Sequence, residues 1–129
     1  MTIGDAQTGS AKPSDAQGRL SVETRRTDGA VVCSLAGELD LDSLAPARTA
    51  LDDAVAAGPA MLVVDLAGLQ FCDSSGLNLL LQTRLAAQAA GLPLALVSLA
   101  PQVARVFEIT GAESVFAIHG SVGAAVASR

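Results

Sequence analysis

The residues best suited to chemistry lie in one run, Leu66 to Leu81 (LAGLQFCDSSGLNLLL). It passes from a buried strand through a polar loop into a helix, with Asp73, Ser74, Ser75 and Gly76 at the helix mouth. The C-terminal ends of strands in α/β sheets are where functional groups collect. The plainest role for these side chains is capping. An Asp or Ser there accepts a hydrogen bond from a free backbone N–H and stabilises the helix by ~0.5–2 kcal/mol. Three functional roles compete with it. A nucleophilic serine of the G-x-S-x-G type is disfavoured, because Cys72 precedes Ser74 by two residues and Asp73 precedes Ser75 by two. Anion binding at the helix start is opposed by the charge Asp73 already places there. The third role is a regulatory serine, phosphorylated by another protein. A phosphoryl group adds about −1.5 to −2 charges at pH 7, and a helix start tolerates that charge without unfolding.

Elsewhere the side chains exclude more than they suggest. The only lysine is Lys12 and the only histidine is His119. A GxxxxGK[ST] phosphate loop therefore cannot be built, and a single histidine leaves little base for hydrolase chemistry. Cys33, Cys72 and His119 lack the spacing of a zinc site, so no metal or cofactor is expected. The two cysteines sit in apolar segments and read as reduced, buried thiols of a cytoplasmic protein.

The chain has 129 residues, half of them hydrophobic, 16% charged and 2% aromatic. That is one domain's worth of chain with enough apolar surface to fold unaided. A net charge of −5 argues against a duplex or an anionic bilayer as a general partner. No apolar run approaches the ~20 residues that span a bilayer, so no membrane insertion is expected. Residues 1–18 are polar and lack the apolar core of a secretory signal. They read as a flexible extension, leaving residues 19–129 as a single domain.

The elements that must position the run follow from periodicity. Arg19 to Arg26 alternates, with Leu20, Val22 and Thr24 on one face, which predicts a half-exposed strand. Asp28-Gly29 suits a tight hairpin turn into a second strand, Ala30 to Ala36. A helix follows from about Ser43 to Ala57, capped by Asp42 or Ser43, with Leu44, Ala47, Leu51, Ala54 and Val55 facing inward. Ala60 to Leu66 is a central strand, Gly76 to Ala90 a helix, and Leu94 to Leu99 a further strand. Pro101 opens a helix that ends before Gly111, with Val103, Val106 and Phe107 inward. Val115 to Ile118 is a short strand or turn, and Gly120 to Ala127 a terminal helix. The fold class is α/β: a small mixed, mostly parallel sheet with an N-terminal antiparallel hairpin and helices packed on it.

Three segments together carry a resemblance. GELD (Gly37 to Asp40), VVDLAGLQFCDSSGLNLLL (Val63 to Leu81) and SLAPQVARVFEITG (Ser98 to Gly111) resemble the STAS domain of bacterial anti-sigma factor antagonists. The similarity covers roughly residues 19 to 127. It implies a STAS-like fold and a non-catalytic switch: a protein that binds an anti-sigma factor serine kinase and thereby frees a sigma factor. By the same resemblance, the kinase phosphorylates the serine directly after the motif aspartate, here Ser74, and a serine phosphatase restores the active form. Asp73, Ser75 and Gly76 complete the partner-binding loop, and Asp40 matches a family residue near the same surface. The alternative that the resemblance implies, ranked second, is a STAS subunit of another assembly, in stress signalling or lipid transport, acting as a protein-interaction module. One departure stands at Ala100, where a capping Ser is common before the proline.

The remaining features have structural expectations. On a helical wheel Leu77, Leu80, Leu81, Leu85 and Gln88 share one side, which should pack on the sheet. Leu79 points nearly opposite with Thr83 and Ala86, as an exposed docking anchor one turn beyond Ser74. Phe71, Phe107 and Phe116 read as core, and His119 as an ordinary edge residue. Asp65, inside an apolar strand, either bonds loop N–H groups near Ser74 or lies at the strand's exposed end.

Overall fold

The computed structural model describes residues 19–129; the extension expected over residues 1–18 lies outside the described residues. Strand β1 (Leu20–Thr27) and strand β2 (Ala30–Leu39) form an antiparallel hairpin with an unbroken register from Leu20↔Gly37 to Thr27↔Ala30. The turn is Asp28-Gly29, with φ of 50° and 82°. Both residues are left-handed, as the two-residue turn matching strand twist requires.

A single turn of 3₁₀-helix, Leu41–Ser43, leads into α1 (Leu44–Ala56). The cap differs from the expectation. Ser43 makes no side-chain cap to α1, and Asp40 instead caps the 3₁₀ turn, accepting Asp42 N–H at 3.0 Å. The Ser43 hydroxyl reciprocates by accepting Asp40 N–H at 3.0 Å and donating to the Glu38 carbonyl at 2.8 Å. The inward residues of α1 are as expected: Ala47, Leu51 and Ala54 are buried, with Leu44 and Val55 packed against them.

Strand β3 spans Met61–Cys72, six residues beyond the expected end at Leu66. Its parallel pairing with β2 slips twice, between Ser34↔Asp65 and Ala36↔Gly68 and again between Gly37↔Leu69 and Glu38↔Phe71. Each slip places one extra residue on β3, as a β-bulge does. Leu66, Leu69 and Cys72 are consequently all buried at a spacing of three. That spacing breaks the alternation of a regular strand, so the sequence after Leu66 reads as loop. Asp65 lies at the first slip, and its carboxylate accepts the N–H of Ala67 at 3.0 Å. It satisfies a backbone group freed by the bulge, a role neither sequence expectation placed there.

Helix α2 (Ser74–Ala89), strand β4 (Leu94–Val97), helix α3 (Pro101–Thr110), strand β5 (Ala117–His119) and helix α4 (Val122–Ala127) complete the chain. Among the described residues the sheet has five strands in the order β1-β2-β3-β4-β5, antiparallel at the first pair and parallel thereafter. One face carries the main core, where Leu62, Val64 and Leu96 meet Leu51, Leu80, Val103 and Phe107 of helices α1 to α3. The opposite face is covered by α4, whose Ala125 packs with Val32, Val63, Ala95 and Val97. This explains why β3 begins as a continuous apolar run: both of its faces are buried.

Candidate functional site

The site is assembled where β2 and β3 end together. Their last paired residues are Leu39 and Cys72, and the Asp73 N–H extends the contact by donating to the Leu39 carbonyl at 3.2 Å. This places Asp40, next after Leu39, beside the start of α2. Gly37 makes that end possible. Its φ is 101°, and a Cβ there would collide with the Arg19 carbonyl oxygen, which accepts the Glu38 N–H at 2.7 Å.

Asp73 is the N-cap of α2, and its Oδ1 accepts the N–H of Gly76 at 2.9 Å. The capping role read from the sequence is therefore real, and it leaves the neighbouring serines free of it. Ser74, the first helical residue, is exposed, and Ser75 is half-buried. Gly76 is buried, and a Cβ on it would lie 2.7 Å from the Leu39 carbonyl oxygen and 2.8 Å from Leu39 Cγ. It is a packing residue that lets α2 approach β2, which corrects its expected place on a partner-binding surface.

Leu79 is corrected as well. It is only 2% exposed and belongs to the main core, so it is no surface anchor. The buried face of α2 comprises Gly76, Leu77, Leu79, Leu80, Thr83 and Ala87. Thr83 is accommodated there because its hydroxyl donates to the Leu79 carbonyl at 3.0 Å. Leu85 and Gln88, expected against the sheet, are exposed, and Leu81 is only partly covered. The physical reason is the closeness of the contact. Where a helix sits tightly on a sheet, small residues such as Gly76 and Ala87 mark the seam, and a wheel weighted by large leucines is rotated away from it. Leu85, 59% exposed, falls on the same side of the helix as Ser74 through Asn78 and Leu81.

The phenylalanines divide. Phe107 and Phe116 pack in the core with ring centroids 5.7 Å apart, whereas Phe71, expected in the core, is 48% exposed two residues before Asp73. Leu41, adjacent to Asp40, is likewise exposed. The mouth of the site thus combines an exposed hydroxyl, two exposed apolar side chains and several carboxylates. Phe71 was hidden in the sequence by the bulges of β3, which turn it outward.

Asp40 is half-buried and held by an ion pair with Arg19, whose guanidinium also lies 3.9 Å from both Glu38 and Asp42. Burial pushes the Asp40 carboxyl upward, but the hydrogen bond and charge of Arg19, aided by Asp42 N–H and Ser43, hold it below the usual carboxylate range. Arg19 is the residue that sequence reasoning missed. Its signal is its place at the start of the alternating segment Arg19 to Arg26, which the hairpin sets opposite the acidic GELD segment. Cys33 and Cys72 are both free and buried. Burial, with the nearby Asp73 charge, pushes the Cys72 thiol up to about 11. His119 is half-buried on the edge strand β5, with its Nε2 3.5 Å from Ser128 Oγ. Among the described residues no helix is long and apolar enough to cross a membrane.

Comparison with known proteins bears on this geometry. The family model described as the STAS domain matches residues 21–125. Over 64 residues the chain is 36% identical to the anti-sigma-F factor antagonist RsfB of Mycobacterium tuberculosis, a match covering 50% of this chain and 52% of that one. The chain thus spans about half the length of the curated relative it matches. The crystal structure of an anti-sigma factor antagonist from Mycobacterium paratuberculosis superposes with a TM-score of 0.74 at 27% identity, over 92% of this chain and 97% of the other. The anti-sigma factor antagonist SpoIIAA, in its unphosphorylated form, superposes with a TM-score of 0.68 at 25% identity, over 82% and 93% of the two chains.

Proposed function

Starting from the fact that the chain belongs to the STAS domain family, we propose that it is an anti-sigma factor antagonist, switched by phosphorylation of Ser74. The observation that carries this reading is the exposed Ser74 hydroxyl at the first residue of α2, beside a cap that Asp73 alone supplies. The names of its relatives support it: RsfB and the protein from M. paratuberculosis are anti-sigma factor antagonists. SpoIIAA was solved in a form distinguished as unphosphorylated.

In this reading the unmodified protein docks an anti-sigma factor serine kinase through Ser74, Ser75, Asp73 and Asp40, with Phe71, Leu41 and Leu85 as apolar contacts, and a sigma factor is released. The chain is a substrate rather than an enzyme. The Ser74 oxygen attacks the terminal phosphorus of the kinase's ATP, the bond to the ADP oxygen breaks, and the hydroxyl proton passes to a base of the kinase. The helix N-terminus tolerates the new charge through its free N–H groups and dipole. The docked complex does not, because burying a dianion without a paired cation costs several kcal/mol. A serine phosphatase reverses the change by hydrolysis. The site of action is the cytoplasm, where kinase and ATP meet.

Pull-down from native lysate, with mass spectrometry of partner and phosphosite together, tests the reading. It stands if an anti-sigma factor is captured and phosphate maps to Ser74. It falls if the stoichiometrically phosphorylated chain binds the kinase as tightly as the unmodified one, or if Ser75 carries the phosphate while Ser74→Ala is still fully modified.

A further inference from the structure

The outer edge of β1 is a second surface, built quite differently from the site. The two-residue turn makes Thr27↔Ala30 a pair that exchanges backbone hydrogen bonds, and such pairs recur at every second residue of an antiparallel ladder. The bond from Glu38 N–H to the Arg19 carbonyl at 2.7 Å falls on the same parity at the far end. The odd-numbered residues of β1 therefore bond to β2, and Leu20, Val22, Thr24 and Arg26 direct their N–H and C=O groups outward. Among the described residues nothing pairs with that edge.

Sheet edges are normally guarded by shortness, charged side chains, proline or a bulge. The opposite edge, β5, follows that rule with three residues. Strand β1 is long, with eight residues, no Pro and no break in register, and its charges, Glu23, Arg25 and Arg26, are of both signs, so that they can pair across an edge as well as guard it. Its central residues, Glu23 to Arg26, are exposed. Beside the edge, between β1 and α1, lies a mostly apolar groove of about 700 Å³ lined by Val22, Thr24, Arg26, Ala50 and Ala54.

We propose that two copies of this chain pair through these edges, antiparallel about Thr24, joining their sheets into one. Charge selects both the partner and the register. With Thr24 opposite Thr24 of the second copy, Glu23 of each copy faces Arg25 of the other, giving two opposite-charge pairs. Of the neighbouring centres that the outward parity allows, Val22 sets Glu23 opposite Ser21 and loses both charge pairs, and Arg26 sets two arginines directly opposite one another, which is unfavourable. The outward parity of residue 24 is the one that lets the two edges bond. On the other face the same register sets Val22 opposite Arg26, whose aliphatic stem can cover the apolar groove.

The test is sedimentation velocity of the full chain over a concentration series reaching millimolar. A monomer–dimer equilibrium is expected. Glu23→Arg alone and Arg25→Glu alone should each weaken dimerisation about tenfold, by replacing two attractive pairs with repulsive ones. The double variant E23R/R25E should restore it. Thr24→Pro removes an outward N–H while sparing the ladder to β2, as edge strands allow, and should abolish the dimer with little change in urea midpoint. A chain that stays monomeric at every concentration overturns the proposal. So does a dimer that Glu23→Arg leaves unchanged, or one that the double variant fails to restore.

Discussion

Leu39 and Gly76 are in backbone contact: the Leu39 carbonyl oxygen occupies the space 2.7 Å from where a Gly76 Cβ would stand. The same carbonyl accepts the Asp73 N–H, so one atom of β2 positions both the cap and the first turn of α2. Gly76→Ala must push helix and strand apart, and Leu39 Cγ at 2.8 Å and Cys72 Sγ at 3.1 Å close the other directions. A loss of ~1–3 kcal/mol is expected, as for overpacking in a core. The urea midpoint measures it, and an unchanged midpoint would show that the seam is not tight.

Asp73 carries a cap and, in the proposed function, part of a docking surface, and the two roles separate by substitution. Asp73→Ala removes the acceptor for Gly76 N–H and should cost ~0.5–2 kcal/mol of stability. Asp73→Asn keeps an acceptor oxygen and should fold nearly as stably, while losing the charge. If Asn weakens kinase binding at unchanged stability, the carboxylate itself is recognised.

Ala100 precedes the proline of α3 in extended conformation and offers no side-chain cap. Ala100→Ser supplies the missing acceptor for a free N–H of the first turn. A gain of ~1 kcal/mol is expected, read as a higher urea midpoint. Partner binding should be unaltered, since the start of α3 lies outside the docking surface.

The order of elements was legible because helix and strand periods differ, and the hairpin because Asp28-Gly29 has a local requirement for left-handed backbone. The proposed role of Ser74 rests on the resemblance carried by its surrounding segments; its residue type alone is that of any helix start. Two things were hidden. The bulges of β3 after Asp65 and after Leu69 change a period of two into a spacing of three, so half of β3 reads as loop and Phe71 as inward. The seam of α2 runs through Gly76, Thr83 and Ala87, residues whose hydrophobicity carries little signal, so the leucines misdirected the wheel. Both failures arise where close backbone approach, rather than side-chain polarity, decides orientation.

The Cys72 thiol gives the fold an alkaline limit. Burial raises its folded-state pKa to about 11 from an ordinary 9.0. The folded state therefore holds its proton more tightly than the unfolded state. The contribution to stability is complete below pH 9 and declines as pH rises through about 11. Urea midpoints of the wild type should fall across that window, and those of Cys72→Ala, lower throughout, should fall less steeply. Parallel curves would mean that Cys72 does not titrate there.

Leu79 and Leu85 differ in burial on one helix, and their variants should divide accordingly. Leu79 is 2% exposed within the main core, so Leu79→Ala opens a cavity and should cost ~2–5 kcal/mol of folding stability. Leu85 is 59% exposed, so Leu85→Ala should change stability by no more than about 0.5 kcal/mol. Leu85 stands three turns from Ser74 on the same stripe, about 16 Å along the axis. In the proposed function, a partner helix or loop that covers Ser74 can therefore reach it, and its burial on docking adds affinity that the proposed phosphorylation of Ser74 withdraws. Leu85→Ala should weaken anti-sigma binding by ~1 kcal/mol, within the range of a peripheral apolar contact. Calorimetric binding and urea midpoints on the two variants decide the matter together. Unfolding of Leu85→Ala as severe as that of Leu79→Ala would mean that the helix faces are misassigned. Unchanged binding of Leu85→Ala would confine the docking surface to the mouth of the site, around Phe71 and Leu41.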